Sequence, residues 1–212
     1  MTLWLVKSYG VSMNIAVFVS GNGSNLQAII DAASRKNIKA KIAVVVSDNR
    51  EAYALERARK AAVDTFVLDP KGFASREDYD KEVIKELERR DVGLIVLAGF
   101  MRLVSDSFVR KYKNKIMNIH PSILPSFKGT HGIKDAFEYG VKRTGVTVHF
   151  VDEKLDHGPI ILQESVSVDE NDTLEKLEEK IHKLEHKLYP EAIRLFTEGK
   201  IRIDGRKVRI QV

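Results

Sequence analysis

The chain contains no cysteine. This excludes disulfides, thiolate metal sites and a cysteine nucleophile, and it gives no sign of a disulfide-stapled secreted domain. Long apolar runs are also missing, and none approaches the roughly 18 residues that a spanning helix needs. Residues 1–12 are apolar but short and lack a basic leading region, so no signal peptide is expected. They read as an N-terminal extension ahead of Met13 or as an edge element of the sheet. No block of lysine and arginine looks like a nucleic-acid arm. No repeat, low-complexity tract or linker interrupts the chain. These absences point to a cytoplasmic protein with no membrane and no nucleic acid among its partners.

What remains suits one globular domain over 1–212. The 212 residues are 43% hydrophobic and 31% charged, enough for a substantial core under a soluble surface. The net charge of +5 suits an anionic small molecule as readily as nucleic acid, so charge alone does not choose between them.

Continuous apolar, β-rich runs at 14–19, 41–46, 65–68 and 92–98 predict strands, the last of them central, buried on both faces. Helical patterns at 26–33, 53–62 and 75–90 alternate with them, Ser75 being the N-cap of the third with Asp78 three residues on. This order predicts an α/β domain, Rossmann-like, with a mostly parallel central sheet and helices on both faces. Later elements differ. A short helix at 134–139 precedes strands at 147–151 and 160–168, whose short connection makes them antiparallel. A long helix over 173–197, bent at Pro190, and a hairpin tail over 200–212 turning at Asp204-Gly205 complete the chain.

Ligands of such sheets sit outside the carboxyl ends of the strands. Three polar or glycine-rich stretches fall there. The first is Ser20-Gly21-Asn22-Gly23-Ser24-Asn25, between a strand and a helix starting at Leu26. It lacks the Gly-Lys-Ser/Thr of a Walker loop, and Leu26 stands where a dinucleotide fingerprint has its third glycine. That weakens Asp48 as a ribose-binding acid. A cradle for one phosphate fits better, with Ser24 and Asn25 capping the helix. The second stretch is Gly99-Phe100-Met101-Arg102-Leu103.

The third is Asn118-Ile119-His120-Pro121-Ser122-Ile123-Leu124-Pro125. Asn118 and His120 alternate, so on an extended chain they share a face. An amide can donate to a developing oxyanion and an imidazole can shuttle a proton. The stretch alone fits a capped turn equally well. Asp156, on a loop with His157-Gly158-Pro159, is the carboxylate best placed to join the pair and to favour the imidazolium of His120; such a residue also commonly just forms a turn. His182 and His186 lie one helical turn apart without a zinc-protease pattern, and read as a solvated face. His149 reads as a packed histidine. No Gly-x-Ser-x-Gly elbow is present.

Taken together, Ser20-Gly-Asn-Gly-Ser-Asn-Leu26, Leu97-Ala-Gly-Phe-Met-Arg102, Asn118-Ile-His-Pro-Ser122 with Leu124-Pro125, and Asp156-His-Gly-Pro-Ile160 resemble the folate-dependent glycinamide ribonucleotide formyltransferases. The resemblance runs from about Asn14 to about Thr197. It implies transfer of a formyl group from 10-formyltetrahydrofolate to the amine of glycinamide ribonucleotide, in purine synthesis, without metal or ATP. It implies that Asn118, His120 and Asp156 are catalytic. Gly23, Ser24, Asn25 and Leu26 would hold the substrate phosphate and Glu185 its ribose. Met101, Arg102, Leu103 and Val104 would line the folate site, together with Asn118, and Arg76 would meet the folate's anionic tail. Two departures from the pattern, Ser126-Phe127-Lys128-Gly129 and His157, bear on loop shape. A deformylase with the same Asn-His-Asp core, and a non-catalytic nucleotide- or folate-binding protein, are the competing readings. A methionyl-tRNA formyltransferase would need an RNA-binding domain that 200–212 cannot form. The sequence leaves a homodimer open.

Overall fold

The computed structural model describes residues 12–211. The extension expected over 1–12 lies outside them except for Ser12. Five parallel strands form the first part of the sheet: β1 (Met13–Val19), β2 (Ala40–Ser47), β3 (Thr65–Val67), β4 (Val92–Leu97) and β5 (Ile116–His120). β6 (Arg143–Phe150) and β7 (Ile160–Ser167) add antiparallel, and β8 (Ile201–Asp204) and β9 (Lys207–Ile210) close that edge. The order is β3-β2-β1-β4-β5-β6-β7-β9-β8. The 92–98 run is therefore interior, with β5 in the middle of the nine.

Alternate residues of β1 explain why its whole run is apolar. Ile15, Val17 and Val19 face one core and Ala16 and Phe18 the other. The first core is covered by α1 (Ser24–Ser34), α2 (Tyr53–Lys60), α5 (Gly132–Tyr139) and α6 (Leu174–Thr197). The second is covered by α3 (Arg76–Arg89) and α4 (Asp106–Lys111), through Tyr79, Val83, Leu87, Phe108 and Val109. The periodicity of 106–111 is too short to stand out in the sequence, and α4 was not foreseen.

The long C-terminal helix is present as α6, with Pro190 inside it. Two local expectations change. The α1 cap is Gly23, at φ 76°, ψ 30°, and no side chain caps the helix, so Ser24 and Asn25 lie inside its first turn. The final hairpin turns on Gly205-Arg206, because Asp204 already pairs with Lys207, and it joins the main sheet through Ile160 and Lys207.

β1 pairs with β2 on one side and β4 on the other, so the strand order reverses between β1 and β4. The loops leaving these strands diverge there and leave a crevice. Tyr189 of α6 places its hydroxyl 2.8 Å from the Leu97 carbonyl and 3.0 Å from that of Met117, joining β4 and β5 near their ends.

Candidate active site

The three stretches converge at that crevice. The Ser20 amide donates to the Gly99 carbonyl, and the Met101 amide donates to Ser20 Oγ at 2.9 Å. The loops after β1 and β4 are thus tied to each other beside the end of β5.

The first loop is built to leave amides free. Gly23 supplies the left-handed turn that any other residue would strain to adopt. It also sits hard against α2: an added Cβ would fall 2.6 Å from Ala54 Cβ. With no capping side chain, the amides of Ser24, Asn25 and Leu26 start the helix unpaired and suit an anion. Leu26 can give only its amide, its side chain being fully buried. Arg57 of α2, which the sequence did not single out, donates to the Asn22 carbonyl (2.9 Å) and to Asn22 Oδ1 (3.0 Å), bracing the loop from behind.

Glu185 meets this loop from α6. It is only 5% exposed, and its Oε2 accepts from Asn25 Nδ2 (3.1 Å) and His182 Nδ1 (2.9 Å). That hydrogen bond raises the His182 pKa above its ordinary value. Asn25 Oδ1 is buried without a partner. Gly23, Ser24, Asn25, Leu26 and Glu185 therefore form one group.

Asn118, His120 and Asp156 form a second group. β5 turns the first two to one face, as expected. His120 Nδ1 lies 3.5 Å from Asp156 Oδ2. Asp156 sits at φ 45°, and the same oxygen accepts the Gly129 amide at 2.9 Å, so the carboxylate anchors the 126–132 loop. That loop covers the imidazole. The Phe127 carbonyl accepts from His120 Nε2 at 2.7 Å, and the His120 side chain is only 4% exposed. Gly132 permits the closure, since a Cβ there would sit 3.1 Å from the Phe127 carbonyl.

His149, read from the sequence as packing, belongs to this group. Burial pushes its pKa below the ordinary value and keeps the ring neutral. The Phe150 carbonyl can only accept, so Nδ1 carries the hydrogen there (2.8 Å). Nε2 is then a bare acceptor, 3.3 Å from Asn118 Nδ2 and 3.8 Å from Asp156 Oδ1. The signal that could have found it is register: His149 pairs directly with Asn118 across β5 and β6.

The stretch 101–104 forms one wall of the crevice. Met101 and Leu103 are 71% and 57% exposed, large apolar side chains left uncovered beside polar groups. Arg102 lies over the Tyr79 ring, 4.7 Å from its centre, and Val104 packs into the core beneath. The Ser105 amide donates to the buried Asp80 at 2.7 Å, fixing the far end of the wall on α3. Arg76 stands apart from the wall, exposed at the start of α3, where it lines an open cleft.

An α/β crevice with an anion-type loop on one side and an Asn-His-Asp set on the other has the equipment of a small-molecule group transferase. Residues 13–193 match the model of the formyl transferase family, and the chain belongs to that family. It is 46% identical over 179 residues to a phosphoribosylglycinamide formyltransferase of Bacillus subtilis, covering 84% of this chain and 92% of that one. The corresponding Escherichia coli protein is 44% identical, covering 90% of each chain. The crystal structure of glycinamide ribonucleotide transformylase 1 from Symbiobacterium toebii superposes with a TM-score of 0.93 at 48% identity over 96% of both chains.

Proposed function

We propose that this chain is a phosphoribosylglycinamide formyltransferase, an enzyme of purine biosynthesis that moves the formyl group of 10-formyltetrahydrofolate to the amine of glycinamide ribonucleotide. The observation that carries the reading is the convergence of the Gly23–Glu185 group and the Asn118–His120–Asp156 group on one crevice, in a chain so similar to enzymes of that name.

The roles follow from the chemistry. The substrate phosphate lies on the amides of Gly23, Ser24, Asn25 and Leu26, and Glu185 accepts from its ribose. The folate lies along Met101, Arg102, Leu103 and Val104, with its carboxylate tail toward Arg76. The amine attacks the formyl carbon and the carbonyl electrons move onto oxygen. Asn118 and His120 Nε2 donate to that oxyanion, which requires the Phe127 carbonyl to give way to it. A proton passes from the attacking nitrogen to N10 of the folate through His120 and Asp156, and the carbon–N10 bond breaks. The balance needs no metal and no ATP. Every group named comes from one copy of the chain. Among the described residues no helix is long and apolar enough to cross a membrane, and a cytoplasmic location fits the substrates.

The test is tetrahydrofolate release from 10-formyltetrahydrofolate with and without glycinamide ribonucleotide. Release that depends on the ribonucleotide is expected. Formate released without it would instead make the chain a deformylase, and binding of both ligands without turnover would make it a non-catalytic protein.

A further inference from the structure

The hairpin of β8 and β9 takes no part in the chemistry above, yet it reaches the loop that carries Asp156. One pair, Ile160 with Lys207, joins β9 to β7. The hairpin turn therefore stands beside the start of β7 and the loop before it. Arg206 of that turn is exposed and, among the described residues, has no carboxylate within 4.0 Å. Its guanidinium is directed at His157 instead. Nη2 donates to the His157 carbonyl at 2.7 Å, and Nη1 lies 3.2 Å from both ring nitrogens. The same ring meets Asp152: Nδ1 donates to Oδ2 at 2.7 Å, since a carboxylate only accepts.

What these contacts fix is the residue before His157. Asp156 sits at φ 45°, a left-handed conformation that a residue with a side chain keeps only when its surroundings impose it. On one side of it, a Cβ on Gly158 would stand 1.8 Å from the Phe150 carbonyl, so the chain leaves Asp156 pressed against the end of β6. On the other, Asp152 Oδ1 accepts the Lys154 amide at 3.0 Å and starts the turn. The Asp156 carboxylate itself is engaged at the Gly129 amide and beside His120 Nδ1, both outside its own loop. His157, where the chain departs from the pattern of similar sequences, gives the guanidinium a ring as well as a carbonyl to hold. Resting on the function proposed above, we infer that Arg206 is a positioning residue for formyl transfer. Through His157 it holds Asp156 in the orientation that meets His120, and the hairpin tail is thereby part of the scaffold of the site.

The experiment compares the wild-type protein with Arg206→Ala and Arg206→Lys, and with Arg202→Ala as a control on the same hairpin. Single-turnover formyl transfer is measured beside hydrogen exchange of the Gly129 amide, which donates to Asp156 Oδ2 and whose exchange needs no substrate. An exposed charged contact is modest in strength, so Arg206→Ala should slow transfer roughly 2- to 5-fold. Gly129 exchange should quicken by a similar factor, while KM for glycinamide ribonucleotide and the urea midpoint stay at their wild-type values. Arg206→Lys, which can still donate to the carbonyl, should fall between the two, and Arg202→Ala should match the wild type throughout. An unchanged transfer rate in Arg206→Ala, or the same loss in Arg202→Ala, would overturn the inference. So would slower transfer accompanied by a raised KM and a lowered urea midpoint, the mark of a merely structural role. If the wild-type protein transfers no formyl group, the proposed activity falls. Quickened Gly129 exchange in Arg206→Ala would then leave the hold on Asp156 standing, and unchanged exchange would remove it as well.

Discussion

Asn118 and His149 face each other across the β5–β6 ladder, with 3.3 Å between Asn118 Nδ2 and His149 Nε2. The neutral ring offers its lone pair to the amide, so one amide hydrogen is held and the orientation of the group is fixed. Such a bond is worth about 1 kcal/mol net, and 1.36 kcal/mol is a factor of ten in rate. His149→Phe, which fills the space without an acceptor, should therefore lower kcat by roughly 5- to 10-fold. KM for both substrates should stay near the wild-type value. Steady-state kinetics with each substrate varied would check this, and a change confined to KM would refute it.

Removing His120 or neutralising Asp156 should cost more. Loss of a group that stabilises the oxyanion typically lowers turnover by roughly 10²–10³. Asp156→Asn can still accept the Gly129 amide, whereas Asp156→Ala cannot. Both should lose activity, but only the alanine variant should also lose stability, by about 1–2 kcal/mol for the orphaned loop amide. Single-turnover rates and urea unfolding read the two effects separately.

Gly23→Ala would place a methyl group 2.9 Å from Ala54 Cα, at a backbone φ of 76°. The α2 backbone cannot yield as a side-chain tip could, so the loop must shift. With strain of about 1–3 kcal/mol, KM for glycinamide ribonucleotide should rise by roughly tenfold or more. KM for the folate, proposed to lie on the opposite wall, should change little. Equal changes in both would argue against a phosphate cradle at this loop.

Two histidines should oppose each other in the pH dependence of stability. The His149 pKa lies below its ordinary value of 6.5 in the fold, so the unfolded chain binds more protons as pH falls through that value. Its contribution is complete above 6.5 and is lost on acidification. His182, raised by Glu185, contributes in the opposite sense: its stabilisation is present at low pH and disappears as pH rises through the folded pKa. His182→Gln should therefore steepen the loss of stability between about pH 7 and 5, as measured by urea midpoints. A shallower slope would contradict the assignment.

A separate acid step should come from Asp172, whose pKa is lowered to about 2, chiefly by its hydrogen bond from Lys180. Its stabilisation is full above the ordinary 3.8 and is lost as pH falls toward 2. Asp172→Asn should abolish this component, detectable by circular dichroism during acid titration.

The sheet was legible wherever burial on both faces forces unbroken apolar runs, as in β1, β2 and β4. The alternation of Asn118 and His120 was legible because a strand has a period of two. What was not legible depends on pairing between distant segments. His149 gains its role from register with a residue 31 positions away, and Arg57 reaches Asn22 from 35 positions away. The α1 cap was misplaced because Ser24 and Asn25 are favoured cap residues, whereas the close approach of α2 demands the glycine before them. The Phe127 carbonyl over His120 belongs to the 126–132 loop, whose chain path no periodicity dictates.

Tyr189 ties the order of synthesis to the completion of the site. Until α6 docks, the carbonyls of Leu97 and Met117 near the ends of β4 and β5 have no hydroxyl to satisfy them. A nascent chain that has emerged only through β5 thus holds Asn118 and His120 on an unfinished scaffold. Glu185 arrives on the same helix, four residues earlier, so the two carbonyls are satisfied and the carboxylate that meets Asn25 is delivered in one docking event. A ribosome-stalled chain ending before residue 189 should consequently bind neither substrate, although every residue of the Asn-His-Asp set has already been made.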